Sequence, residues 1–112
     1  MVGAILKTIK EGRRFLVASH EGPDGDAIAS TLALTMALRS LGKEVVAYNR
    51  DGVPDALAFL PEAATIRTTL EPGEHFDVGF ILDAGELRRA GEQLVERCAL
   101  LVNIDHHPFS EH

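Results

Sequence analysis

Three groups of metal-binding side chains stand directly after apolar runs in this chain. His20, Asp24 and Asp26 follow the run Phe15-Leu16-Val17-Ala18 with the spacing H-x3-D-x-D; Asp83 follows residues 78–82; Asp105, His106 and His107 follow residues 100–104. In an extended turn, residues two apart reach neighbouring points, so Asp24 and Asp26 could each hold one of two adjacent cations. Asp83, alone at the end of its run, could bridge both, and His106 could add an imidazole from the far side. Carboxylate and imidazole donors without thiolate suit Mn²⁺, and also Mg²⁺, Co²⁺ or Fe²⁺. Two such ions about 3.5–4 Å apart bridge a hydroxide and hold a phosphate in line. His107 would then be free to touch the phosphate or to protonate a leaving oxygen. Each residue taken singly has a plainer use: Asp26 as a helix cap, His20 as a loop hydrogen-bonding group. Their joint occurrence at three separate run ends favours a metal centre that handles phosphate.

For these residues to meet, the runs must be neighbours. Short apolar runs read as buried parallel strands, and open α/β sheets bind ligands at the carboxyl ends of their strands. Strands are expected over 14–19, 43–48, 78–82 and 100–104. An opening amphipathic helix, with Val2, Ile5, Leu6 and Ile9 set against Lys7, Lys10 and Glu11, should stop near Gly12 acting as a C′ glycine. A second helix over 27–41 reads as an almost wholly apolar cylinder, capped by Asp26 and ended by Gly42. A third over 87–98 carries Leu87, Ala90, Leu94 and Val95 on one face. Between them, Pro54, Pro61 and Pro72 punctuate an irregular stretch with a short helix at 55–60 and an edge strand at 65–68. This alternation predicts an α/β fold: a doubly wound, mostly parallel sheet with helices on both faces.

A chain of 112 residues fits one domain, and 46% hydrophobic against 25% charged residues supplies a core and excludes disorder. No run approaches the length of a membrane span and no signal-peptide core opens the sequence, so no membrane partner is expected. The single cysteine, Cys98, reads as a buried structural thiol and gives no disulfide, making the cytoplasm the expected compartment. A net charge of −6 argues against duplex DNA. It does not argue against a phosphorylated small substrate, because two divalent cations would bring the balance to about −2. Arg13-Arg14 and Arg88-Arg89 are too short for a nucleic-acid track, and five Phe with one Tyr and no Trp offer no stacking platform. The segment Gly22-Pro23-Asp24-Gly25 lacks the ending of a Walker-type phosphate loop. His75 reads as an exposed loop residue.

The residues also resemble a known family. Ser19-His20-Glu21-Gly22-Pro23-Asp24-Gly25-Asp26-Ala27 resembles the first motif of the DHH phosphoesterases. Ile81-Leu82-Asp83-Ala84-Gly85-Glu86 resembles the second, and Asp105-His106-His107 the motif that names the family. The style is nearest to the NrnA-type oligoribonuclease and phosphoadenosine phosphate phosphatases, with RecJ-type exonucleases, family II pyrophosphatases and cyclic-dinucleotide phosphodiesterases more distant. The resemblance implies that His20 and Asp24 bind one Mn²⁺, that Asp26 and His106 bind the other, and that Asp83 bridges them. It implies a supporting role for Asp105 and a phosphate-facing role for His107, the two catalytic candidates. Leu87-Arg88-Arg89-Ala90-Gly91 resembles a segment that carries an arginine, which makes Arg89 a weaker candidate for substrate contact.

The implied activity is Mn²⁺-dependent hydrolysis of short single-stranded oligonucleotides or small nucleotide phosphates. The alternatives are a pyrophosphatase, a cyclic-dinucleotide phosphodiesterase, or a metal- and nucleotide-binding module without turnover. The oligomeric state is left open, with a homodimer among the alternatives. The family pattern adds an aspartate at a later strand end and a C-terminal substrate-binding domain with a glycine-rich histidine motif. These 112 residues show neither. The expectation is therefore that 1–112 form the N-terminal part of a DHH catalytic domain, with weakened metal retention and little turnover on their own.

Overall fold

The computed structural model describes residues 2–19, 25–82 and 93–104. Four strands, β1 (Arg14–Ser19), β2 (Glu44–Tyr48), β3 (Phe76–Leu82) and β4 (Cys98–Ile104), form one sheet in the order β2-β1-β3-β4. Every pairing is parallel. Three α-helices accompany it: α1 (Val2–Glu11), α2 (Gly25–Ser40) and α3 (Gln93–Arg97). The expected α/β architecture is present.

Alternation along the strands sorts the core into two layers. Phe15, Val17, Val78, Phe80 and Leu82 pack with Leu38 of α2, and Ile9 of α1 joins them. Leu16, Ala18 and Ile81 pack on the other side with Leu94 of α3. Helices therefore cover both faces. Neighbours in register reinforce the first layer: Val17 pairs with Phe80, and the Phe15 and Phe80 rings stack 6.1 Å apart and within 3° of parallel.

Several boundaries differ from expectation, each for a physical reason. β3 and β4 each begin two residues early, at Phe76 and Cys98, which pair with each other. The polar Asp77 interrupts the apolar run but not the ladder. Gly79 makes this pairing close: a Cβ there would collide with Cys98 Sγ. Cys98 is half-buried rather than fully enclosed, and burial pushes its thiol up to about 11, which leaves it unreactive.

α2 buries Ile28, Thr31, Leu32, Thr35 and Leu38 and exposes Met36, so the sheet-facing stripe includes two threonines that the apolar-cylinder reading omits. Thr35 Oγ1 has no hydrogen-bond partner among the described residues. In α1, Leu6 is exposed. Gly12 does not adopt the left-handed conformation of a C′ residue; it is small because the Phe15 ring would lie 2.8 Å from its Cβ. Gly42 does close α2 as expected. Its φ is +83°, and Gly42 N–H to Arg39 O (2.9 Å) with Lys43 N–H to Leu38 O (3.2 Å) form a Schellman ending.

The stretch after β2 contains two single 3₁₀ turns, Asp55–Leu57 and Ala63–Thr65, the first standing where a short helix was expected. Ala63 and Ile66 pack with Val53, Leu57 and Leu60 against Ile28, Leu32 and Ala47. The expected edge strand reduces to one parallel bridge, Tyr48 with Arg67. Of the expected third helix, 93–97 is helical; Leu87 and Ala90 lie outside the described residues, as does the Val95 side chain. Among the described residues no helix is long and apolar enough to cross a membrane.

Candidate metal centre

Parallel pairing puts the carboxyl ends of all four strands on one edge, and the register brings three of them level. Ser19 at the end of β1 pairs with Leu82 at the end of β3, and Leu82 pairs with Ile104 at the end of β4. Adjacent strands lie about 4.8 Å apart, so the three exits span roughly 10 Å. The next residues in sequence are His20, Asp83 and Asp105. α2 begins on the same side of the sheet, with Asp26 as its second residue. The position expected as a cap thus falls inside the first turn, where the helix dipole favours negative charge.

His20, Asp24, Asp83, Arg89, Asp105, His106 and His107 lie outside the described residues, as does the side chain of Asp26. Their strands are placed; their side chains are not described. Among the described residues no group of three or more His, Cys, Asp or Glu could hold a metal ion. The chemistry of the candidate donors nonetheless fits a divalent pair: three carboxylates and two imidazoles, drawn from segments that follow level strand ends. No thiol competes, because Cys98 begins β4 at the opposite edge.

One feature of this edge was not singled out from the sequence. Asn49, directly after β2, is fully buried, and its Nδ2 donates to Ser19 Oγ (2.8 Å) and Ser19 O (3.3 Å). Its Oδ1 accepts the Asp51 N–H at 2.8 Å. The only sequence signal was Asn-x-Asp-Gly after an apolar run, which reads equally well as an ordinary turn.

The opposite, amino-terminal edge is charged but self-satisfied. Arg67 grips both oxygens of Glu74 at 2.9 and 3.0 Å. Arg14 adds a bond to Glu74 at 2.8 Å and another to Glu44 at 2.7 Å, with its guanidinium 4.7 Å from the centre of the Phe76 ring. Hydrogen bonds from Arg67, and secondarily from the Glu71 N–H and Arg14, hold the Glu74 carboxyl at about 2 despite burial opposing it. Asp77 is likewise held below its ordinary value by the N–H groups of Arg14 and Arg13. His75 is exposed, as expected.

With the strand ends level and the donors in sequence beside them, comparison with known proteins decides the family. The model of the DHH family, N-terminal domain, matches residues 14–112. The chain belongs to the DHH family. The bifunctional oligoribonuclease and PAP phosphatase NrnA of Thermus thermophilus is 38% identical over 107 residues, which are 96% of this chain and 31% of that protein. The crystal structure of an exopolyphosphatase-related protein from Bacteroides fragilis superposes with a TM-score of 0.85 at 27% identity, covering 96% of this chain and 35% of that one. This DHH chain spans about a third of the length of each of these two relatives. The family match includes all three motif segments, 19–27, 81–86 and 105–107.

Proposed function

We propose that this DHH chain carries the metal-binding half-site of a Mn²⁺-dependent phosphohydrolase acting on short oligonucleotides or small nucleotide phosphates in the cytoplasm. The observation that supports the reading is the level register of Ser19, Leu82 and Ile104, the strand ends that the three donor-bearing segments follow in sequence. His20, Asp24, Asp26, Asp83 and His106 would hold two divalent cations, with Asp83 shared between them. Bound there, such a pair supplies a hydroxide at neutral pH and neutralises charge growing on the phosphoryl oxygens.

The chain's own groups do the rest. The amino end of α2 presents backbone N–H groups and a positive dipole end to an anion. His107 donates a proton to the leaving oxygen, Asp105 supports the imidazoles beside it, and Arg89 can contact phosphate. The NrnA relative supports an oligoribonuclease- or nucleotide phosphatase-type substrate. The exopolyphosphatase-related neighbour supports a second reading, a phosphoanhydride such as pyrophosphate. A substrate panel on the full-length protein separates them: in Mn²⁺ it should release mononucleotides from a short oligoribonucleotide faster than phosphate from pyrophosphate. Asp83→Ala should abolish both, and undiminished hydrolysis in that variant would overturn the reading.

A further inference from the structure

We infer that Asn49 is a positioning residue for the proposed metal centre, holding the end of β1 through its carboxamide. The inference rests on the reading of that centre given above. The β1–β2 ladder stops at Ala18 with Tyr48, one residue before β1 ends. Ser19 is therefore paired on its β3 side, with Leu82, and not on its β2 side. At that point the β2 backbone turns away: the Asn49 N–H goes to Arg67 O at 2.9 Å, and its carbonyl accepts the Gly52 N–H at 3.0 Å. The Asn49 side chain takes over where the ladder ends, donating to both the carbonyl and the hydroxyl of Ser19.

Both partners are sealed from water, Asn49 at 0% and Ser19 at 2% exposure, so each bond is costly to leave unmade. Asn suits the position chemically. It offers two donors to Ser19 while its oxygen accepts from Asp51. Aspartate would lack the donors, and glutamine would be one methylene too long. Ser19 is the residue before His20, so the clamp fixes the backbone from which the first donor segment departs. Groups that orient metal ligands in this way typically govern affinity by about 10–100-fold.

The test is Mn²⁺ titration calorimetry on the 112-residue chain for wild type, Ser19→Ala, Ser19→Thr, Asn49→Ala and the Ser19→Ala/Asn49→Ala double variant, with melting curves for each. Asn49→Ala should weaken Mn²⁺ binding about tenfold. Ser19→Ala should weaken it several-fold and lower the melting temperature by several degrees, and Ser19→Thr, which keeps the hydroxyl, should restore the affinity. The double variant should bind no more weakly than Asn49→Ala alone, because both changes break one contact. Wild type that binds no Mn²⁺ removes the metal-centre reading and this inference together. Wild type that binds, with variants of equal affinity, with additive losses or with no rescue by Ser19→Thr, overturns the clamp alone. Should Asn49→Ala fail to fold, the Ser19→Ala and Ser19→Thr pair decides by the same criteria.

Discussion

At the amino-terminal edge of the sheet, Arg14 and Arg67 close on Glu74, while Asp77 accepts two backbone N–H groups. The segments at the carboxyl-terminal edge are composed differently. Residues 15–38 and 98–112 contain no Lys or Arg, yet they supply His20, Asp24, Asp26, Asp105, His106 and His107. An acid that already grips a guanidinium needs nothing from outside the chain. Acids and imidazoles brought together from these two segments, with Arg88 and Arg89 following only Asp83, would on the proposed reading take up protons or bind a cation. Charge density alone therefore does not separate the two edges; on the proposed reading, what separates them is whether basic residues accompany the acids in sequence. The first edge is read as stabilising the sheet and the second as serving a ligand.

The largest effect that could break this contrast belongs to Asp83. If Asp83 is shared by both cations as proposed, its replacement by alanine should lower Mn²⁺ affinity by at least about 100-fold, with little change in melting temperature measured without metal. A variant that melts far lower but keeps its affinity would make Asp83 a structural residue and dissolve the contrast.

Glu74→Gln should show the converse. At pH 7 it should destabilise the fold by about 2 kcal/mol, the worth of charge-assisted bonds to a buried carboxylate, or roughly 10 °C in melting temperature, with Mn²⁺ affinity unchanged. The pH dependence follows from the depressed carboxyl. The stability that Glu74 contributes is complete above its ordinary value near 4.5 and is lost as pH falls towards about 2. The gap between wild type and Glu74→Gln should therefore close across that window in pH-dependent denaturation.

Legibility in the sequence followed the same division. The limits of β1 were legible to the residue, because Phe15 to Ser19 is wholly buried and Gly12 precedes it. β3 was read short because Asp77 looks like a break, though the strand runs through it from Phe76 while its side chain reaches the Arg13 and Arg14 N–H groups. β4 was read short because Cys98 fits the end of the preceding helical pattern, though it pairs with Phe76. The buried stripe of α2 was misjudged because hydropathy cannot show that Thr31 and Thr35 face inward and Met36 outward. The donor residues were legible because their types are uncommon after apolar runs. The register adds only that the strands preceding three of the donor segments end level, at Ser19, Leu82 and Ile104. Asn49 was illegible as a clamp, since nothing in the sequence says that the chain turns one residue before the β1–β2 ladder would otherwise continue.

Smaller changes at the amino-terminal edge sharpen the contrast. Gly42 ends α2 at a φ of +83°, with open space where a Cβ would stand. Gly42→Ala should thus cost only the left-handed backbone penalty, about 1 kcal/mol, in denaturant titration. Mn²⁺ affinity should again stay unchanged, because the strain falls at the edge assigned to stability.

Glu44→Gln should have the smallest effect and tests whether pairing or burial gives that edge its strength. Glu44 and Glu74 both bind Arg14, at 2.7 and 2.8 Å, but the Glu44 side chain is 67% exposed and that of Glu74 9%. Distance to Arg14 alone predicts equal contributions; burial, together with the two bonds from Arg67 to Glu74, predicts unequal ones. Water screens the exposed pair, and Arg14 without Glu44 still holds Glu74, the His75 carbonyl and the Phe76 ring. Glu44→Gln should therefore cost less than about 0.5 kcal/mol, well below Glu74→Gln in the same denaturation series, and raised salt should shrink it further. Equal losses from the two variants would mean that Arg14, rather than the enclosed Glu74, is the centre of the network.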